Sequence, residues 1–498
     1  MAEEKKYKKI REFFKDKHNL ILILILLFAF IVRMYFFFNT IEQPLWWDEA
    51  QYGEQARRLG LDLGTNDIWY YRRTMLLPVF WSFLFMIGLG EASLRFTEVL
   101  FSVLLVFATY LVAKEFFDKK AGLMAAFGVA FARIILFETT RLLNSAPSAA
   151  FMLLAVYFFY KGYLKENKTK DIYLAALFAS LAMSFRFAAF LALISFVLLM
   201  LIKEKGRIWK NKHIIGAALL FLLILSPFFY SYQKNYPGGV KDFLKHYGGV
   251  GLAKEEKPQL LGWPGVYQYL KILPSNISWI LFAAFIIGLI FLLDFLLAPD
   301  LLFKEISLQK NLFLFLFILP PLIYHGLRSE YIEERYLIGI LPVILIISAF
   351  GIIKLYEYLK NYSKYIFAGI IIILLLASSY PIIKDANSII EGKKSSYQQV
   401  KEAALWMKEN SEPGDVIISN SIPQTQYYSD RSTYYVEDPE EIEKLSPKYY
   451  VVSIYERSAQ QYLDYPENNK DKFKVNVKAW FIDEAKTQPS LVIYEFNK

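Results

Sequence analysis

The 498-residue sequence contains no cysteine. That absence excludes disulfides, Cys-ligated zinc, iron–sulfur centres and cysteine nucleophiles together. It does not fix the redox compartment, because a chain without thiols is indifferent to it. Histidine is scarce too, with four in the chain, and the isolated His246 and His325 are a poor basis for a metal site. No Walker A, G-x-G-x-x-G, H-E-x-x-H or G-x-S-x-G pattern occurs, so ATP-driven transport and serine hydrolysis have no support. No internal repeat or low-complexity tract is evident, which weakens a transporter built on inverted repeats.

What is abundant is apolar surface. Hydrophobic residues make up 55% and aromatics 17%, with 21% charged, against roughly 45–50% apolar in soluble domains. Several runs reach the ~20 residues that cross a bilayer. The chain reads as a polytopic α-helical membrane protein. The net charge of +9 reflects cytoplasmic loops rather than nucleic-acid binding.

A basic segment, Met1–His18, runs into the apolar Asn19–Phe38. The run exceeds a signal-peptide core and no small-residue cleavage site follows, so an uncleaved anchor is expected with the N-terminus in the cytoplasm. Apolar segments follow at about 74–90, 94–113, 121–140, 146–163, 172–202, 213–230, 276–297, 311–325, 336–353 and 365–383. Basic loops at 114–120, 165–171, 203–212, 304–310 and 354–364 are expected inside. The stretch 172–202 lies between two of them and must turn near Phe185-Arg186-Phe187, with Arg186 outside. Segment 74–90, broken by Pro78 and Gly88, is expected to be partial or re-entrant. The count is then about 11 crossings with the C-terminus external. A membrane domain over 1–383 carries large external loops at 39–73 and 231–275. An external domain over 384–498 mixes helical stretches (396–410, 439–445) with β-rich runs (416–419, 433–436, 449–454, 491–494), which argues for an α/β fold.

Three groups of residues carry chemistry. The first external loop places Asp48 and Glu49 beside Trp46 and Trp47, with Tyr52 one helical turn on. A carboxylate there can be partly desolvated and act as a base. It can equally be an acidic first turn with interfacial aromatic anchors. Arginines Arg72, Arg73, Arg141, Arg186, Arg328 and Arg335 stand near external ends of spans. Arg186 interrupts an apolar run, where a cation costs ~3 kcal/mol unless paired or hydrated. A phosphate would offset that cost; so would an ion pair or a snorkelling side chain. Finally, Glu330, Glu333 and Glu334 precede Arg335-Tyr336 as ligands, ion-pair partners or a solvated loop.

In order, Trp47-Asp48-Glu49-Ala-Gln-Tyr52, Pro78-Val-Phe-Trp81, Gly90-Glu91-Ala-Ser-Leu-Arg95, Arg141-Leu-Leu-Asn144-Ser-Ala-Pro147, Ser184-Phe-Arg186-Phe and Glu334-Arg335-Tyr336-Leu resemble the GT-C glycosyltransferases. The branch is that of the protein O-mannosyltransferases and lipid A aminoarabinose transferases, over roughly residues 1–355. The resemblance implies an inverting transferase drawing on a polyprenyl- or dolichyl-phosphate sugar at the external face. It makes Asp48 the catalytic base, with Glu49 beside it. It makes Arg186 and Arg335, with Arg141 and Arg73, ligands of the donor phosphate. Tyr52, His246, Asn144 and Tyr336 become substrate contacts. The acceptor is a hydroxyl of a protein, lipid or glycan; the other partners are membrane lipids, with no nucleic acid. Asn144 and Leu77 stand where the family often has charged residues. That weakens any divalent-metal site, and no cofactor is firmly implied. Rival functions are a lipid-linked-sugar flippase and a scaffold whose external domain binds a partner.

Overall fold

A computed structural model describes residues 14–64, 73–235, 238–241, 244, 261–328, 331–474, 478–481 and 488–497. The chain forms two compact units. One takes residues up to Asn39, a short stretch ending at Leu77, and Arg95–Ile390. The other takes the first loop from Thr40, Pro78–Leu94, and Glu391 to the end of the chain.

The first unit is helical. Among the described residues, 7 helices are long and apolar enough to cross a membrane, including Lys17–Thr40, Glu91–Phe116, Ile306–Arg328 and Leu341–Leu359. The expected eleven is not matched by helices of that length. Helices Lys119–Phe131, Ser145–Phe159, Thr169–Phe185 and Phe190–Lys203 have 13, 15, 17 and 14 residues, short of the ~20 that span hydrocarbon. Asp118 starts the first of these, its carboxylate accepting from the Ala121 amide at 2.8 Å. Leu76–Met86, which belongs mostly to the second unit, has 11 residues and reaches about 16 Å, half a bilayer. The break in 172–202 falls where the residues place it: one helix ends at Phe185 and Arg186 is extended (φ −147°, ψ 115°).

Packing relies on small residues. A methyl at Gly351 would lie 2.1 Å from the Ala284 carbonyl, and one at Gly288 2.1 Å from that of Ile347. Helices Trp279–Leu292 and Leu341–Leu359 therefore touch backbone to backbone, as membrane helices without a hydrophobic drive between them must. Two cations are buried here for structural reasons. Arg33, 0% exposed, donates to Ser102 Oγ at 2.7 Å and to the Ala29 and Ala130 carbonyls at 3.1 and 3.0 Å. Arg95, also 0% exposed, donates to the Thr140 carbonyl at 3.0 Å. Backbone oxygens take the place of water around both.

The second unit is built on a five-stranded sheet. Its strands are β1 (Val416–Ser419), β2 (Ser432–Tyr434), β3 (Tyr449–Ser453), β4 (Lys478–Phe481) and β5 (Pro489–Glu495), in the order β2-β1-β3-β5-β4. β1 pairs in parallel with β2 and β3, while β5 runs antiparallel to β3 and β4. A tyrosine-rich core of Tyr450, Tyr462 and Tyr465 with Ile418, Ile442 and Phe473 covers one face. Helix Ile422–Ser429 packs on helices Gln398–Glu409 and Trp47–Leu61. The segment after the first long helix thus folds with the C-terminal chain.

Candidate active site

In the membrane unit the helix break at Arg186 borders an open cleft. Ser145 and Met152 come from one helix, His325 from the end of Ile306–Arg328, and Arg335 and Tyr336 from the short turn after it. Apolar residues line the rest, among them Ala189, Pro321 and Ile340. Arg186 donates to Ser145 Oγ at 2.5 Å, and its guanidinium lies 5.3 Å from the centre of the Tyr336 ring. Arg335 sits 5.8 Å over the same ring and is ion-paired with Glu333. His325 stacks on Tyr336 at 4.4 Å, fixing the ring that both cations flank.

The two arginines differ in their partners. Glu333 takes up part of the charge of Arg335. Among the described residues Arg186 makes no ion pair; a serine hydroxyl and an aromatic face are what it has. Arg33 is enclosed by Ser102 and two backbone carbonyls, whereas Arg186 lines the cleft. A concave, largely apolar site with two convergent guanidinia suits an anion carrying an apolar tail.

The other predicted arginines are elsewhere. Arg141 is 3% exposed with its guanidinium 5.5 Å from the Phe137 ring, and it does not line the cleft. Arg73 gives its carbonyl to the Tyr232 hydroxyl and does not line it either. Asn144 is buried and donates to Thr74 Oγ1 at 3.2 Å; Thr74 in turn donates to the Phe185 carbonyl at the helix break. It holds the wall of the site from behind. His246 lies outside the described residues.

In the second unit, Trp47–Leu61 is a helix with Asp48 and Glu49 in its first turn. Asp48 is partly exposed. Glu49 is 0% exposed, and its carboxylate accepts from the Trp46 amide at 3.4 Å, the reach of a capping side chain. Tyr52 is 3% exposed, packed into the unit. The adjacent carboxylates are therefore unlike: one is enclosed and holds the helix start, the other is partly exposed. Sequence reasoning did not foresee what fixes this segment. The Leu45 amide donates to Tyr428 Oη at 2.9 Å, Lys401 donates to the Glu42 carbonyl at 3.0 Å, and Arg57 pairs with Asp430 at 3.0 Å and Glu54 at 2.8 Å. Ser145 was also missed; Asn-Ser-Ala-Pro-Ser at a helix start was the only signal. Among the described residues no three His, Asp or Glu side chains cluster to hold a metal ion.

Residues 73–230 match the family profile described as dolichyl-phosphate-mannose-protein mannosyltransferase. No curated protein sequence matches. Among solved structures, ArnT from Cupriavidus metallidurans bound to undecaprenyl phosphate superposes with a TM-score of 0.64 at 13% identity, covering 95% of this chain and 97% of that one. The oligosaccharyltransferase of Archaeoglobus fulgidus, in complex with zinc and sulfate, gives 0.64 at 16% identity, with 87% and 68% covered. The same organism's AglB with an inhibitory peptide and a dolichol-phosphate gives 0.62 at 14% identity, with 98% and 75% covered. The chain therefore has the fold of the GT-C membrane glycosyltransferases, and within it residues 73–230 carry the pattern of the dolichyl-phosphate-mannose-protein mannosyltransferases.

Proposed function

We propose that this chain is an inverting glycosyltransferase that takes a sugar from a polyprenyl- or dolichyl-phosphate donor and passes it to a hydroxyl acceptor. The observation that carries the reading is the cleft in which Arg186, held by Ser145 and Tyr336, meets Arg335. It suits a lipid phosphate, and relatives of the same fold were solved with undecaprenyl phosphate and dolichol-phosphate. In the reaction, the acceptor oxygen bonds to the anomeric carbon from the face opposite the phosphate. The bond from that carbon to the phosphate oxygen breaks, and its electron pair leaves on the lipid phosphate. Asp48 takes the acceptor proton. The guanidinia of Arg186 and Arg335 stabilise the phosphate as charge builds on it. Arg141, Tyr52 and Asn144, which are buried, and Arg73, which is half-buried, support this arrangement from around it rather than by touching the donor.

Incubating the purified protein in lipid with radiolabelled polyprenyl-phosphate hexoses and mixed acceptors tests the reading. Label should move to an acceptor with release of the lipid phosphate. Label that crosses the bilayer still attached to its lipid would instead identify a flippase.

We place the protein in the cell membrane, with a transferase part over 1–383, an external domain over 384–498, and the N-terminus in the cytoplasm. The support is charge asymmetry alone. In a chain without cysteine, single cysteines at Lys119 and Lys168 should label only from the cytoplasmic side, and one at Lys470 only from outside. All three side chains are accessible, at 45%, 61% and 73%. External labelling at 119 would overturn the orientation.

A further inference from the structure

The C-terminal sheet has a topological switch point. From β1 the chain goes to one side to make β2, then returns across to make β3 on the other side of β1. In parallel α/β sheets, ligands bind at such a point, beyond the carboxyl ends of the strands. Here those ends carry Ser419-Asn420-Ser421 and the stretch Ser453–Ser458. Asn420 ties them together: its amide donates to the Ser453 carbonyl at 2.7 Å and to Ser458 Oγ at 2.9 Å, and its oxygen accepts from the Ser453 amide at 3.2 Å. On this rigid base stand Tyr455 and Glu456.

The Tyr397 ring lies 5.4 Å from that of Tyr455 and 6.5 Å from that of Trp46, so three partly exposed aromatic side chains adjoin one another. Trp46 is two residues from Asp48. The Glu456 carboxylate accepts from Tyr397 Oη at 2.9 Å, and among the described residues no cation pairs with it. Burial raises its pKa above the usual glutamate range, the mark of a carboxyl short of donors. Finally, Tyr397 has φ 65° and ψ 13°, a left-handed conformation that a bulky residue adopts at a cost, and such outliers gather at functional sites.

We propose that Trp46, Tyr397, Tyr455 and Glu456 form the acceptor subsite and that the acceptor presented there is a saccharide. This rests on the glycosyltransferase reading. A pyranose has an apolar C–H face that packs on aromatic rings and equatorial hydroxyls that donate to a carboxylate in the same plane. A peptide would need backbone donors or a free strand edge at this point, and an acyl chain would have no use for Glu456. Neighbouring Trp46 then delivers one sugar hydroxyl to Asp48.

The test uses the full-length protein in nanodiscs, without donor. Methyl α-mannopyranoside, methyl β-glucopyranoside and a serine/threonine octapeptide are titrated and followed by saturation-transfer NMR. At least one glycoside should bind saturably to the wild type and to Asp48→Asn. Tyr455→Ala should weaken it by roughly fivefold, the loss of one aromatic contact. Glu456→Gln, which keeps the shape, should weaken it as well. If Tyr455→Ala does not fold, Glu456→Gln decides. No glycoside binding, binding of the peptide alone, or glycoside binding unchanged in Glu456→Gln overturns the proposal. The measurement is independent of the transfer step: an Asp48→Asn variant that still transfers sugar removes the base assignment and leaves the glycoside result standing.

Discussion

Asp48→Asn should lower sugar transfer by about 10²–10⁴-fold, the usual contribution of a positioned general base, and leave donor-lipid binding within error of the wild type. The substitution is isosteric, so an unchanged melting temperature would mark the loss as chemical rather than structural. Asp48 is the partly exposed member of the pair. Glu49 is enclosed and accepts from the Trp46 amide, so Glu49→Gln should instead lower melting temperature and activity together. Single-turnover rates with radiolabelled donor, alongside equilibrium donor binding, separate the two cases. Wild-type turnover in Asp48→Asn would end its role as base and move attention to Glu49.

Arg186→Ala should weaken donor affinity by roughly 10- to 100-fold, one charge-assisted hydrogen bond of 1.5–3 kcal/mol, with melting temperature nearly unchanged. The reasoning turns on what Arg186 leaves behind. Removing one partner of a buried ion pair strands the other and destabilises the fold. Here the partners are a serine hydroxyl and the Tyr336 ring, neither of which carries a charge. Arg335→Ala should behave differently, because Glu333 loses its partner: stability and donor affinity both fall. Donor binding and thermal melting on the same preparations decide the matter. Unchanged affinity with a lowered melting temperature in Arg186→Ala would remove it from the site.

Much of this was legible in the chain because it depends on local pattern. β1 falls at Val416–Ser419 and the helix Pro439–Leu445 lies where composition put it; the break at Arg186 follows from a charge inside an apolar run. Arg186 and Arg335 were readable as a pair because both are cations in places where cations are costly. Helix Ile422–Ser429 was not readable. Its Pro-Gln-Thr-Gln-Tyr-Tyr run has poor helix propensity, and it is tertiary burial that holds it, with Gln424 0% and Thr425 1% exposed. β4 was missed because four residues on a sheet edge leave almost no alternation to detect. The hydrogen bond from Leu45 to Tyr428 joins residues 383 apart, and no local pattern announces such a contact. Arg141 and Arg73 do not line the cleft that holds Arg186 and Arg335: charge near a span end does not say which way a side chain turns.

The bonds that fix the Asp48 helix also bear on how this protein can be recombined. Tyr428, Lys401 and Asp430 all lie beyond residue 390, yet each holds a partner between Glu42 and Arg57. A chimera spliced only at the end of the last long helix would inherit a foreign C-terminal sheet and keep its own loop, with the Leu45 amide, the Glu42 carbonyl and Arg57 facing side chains they were not selected with. The unit of exchange is discontinuous in sequence. Residues 40–61 and 78–94 must travel with 391–498, and a graft respecting all of these cuts should fold where the single cut fails.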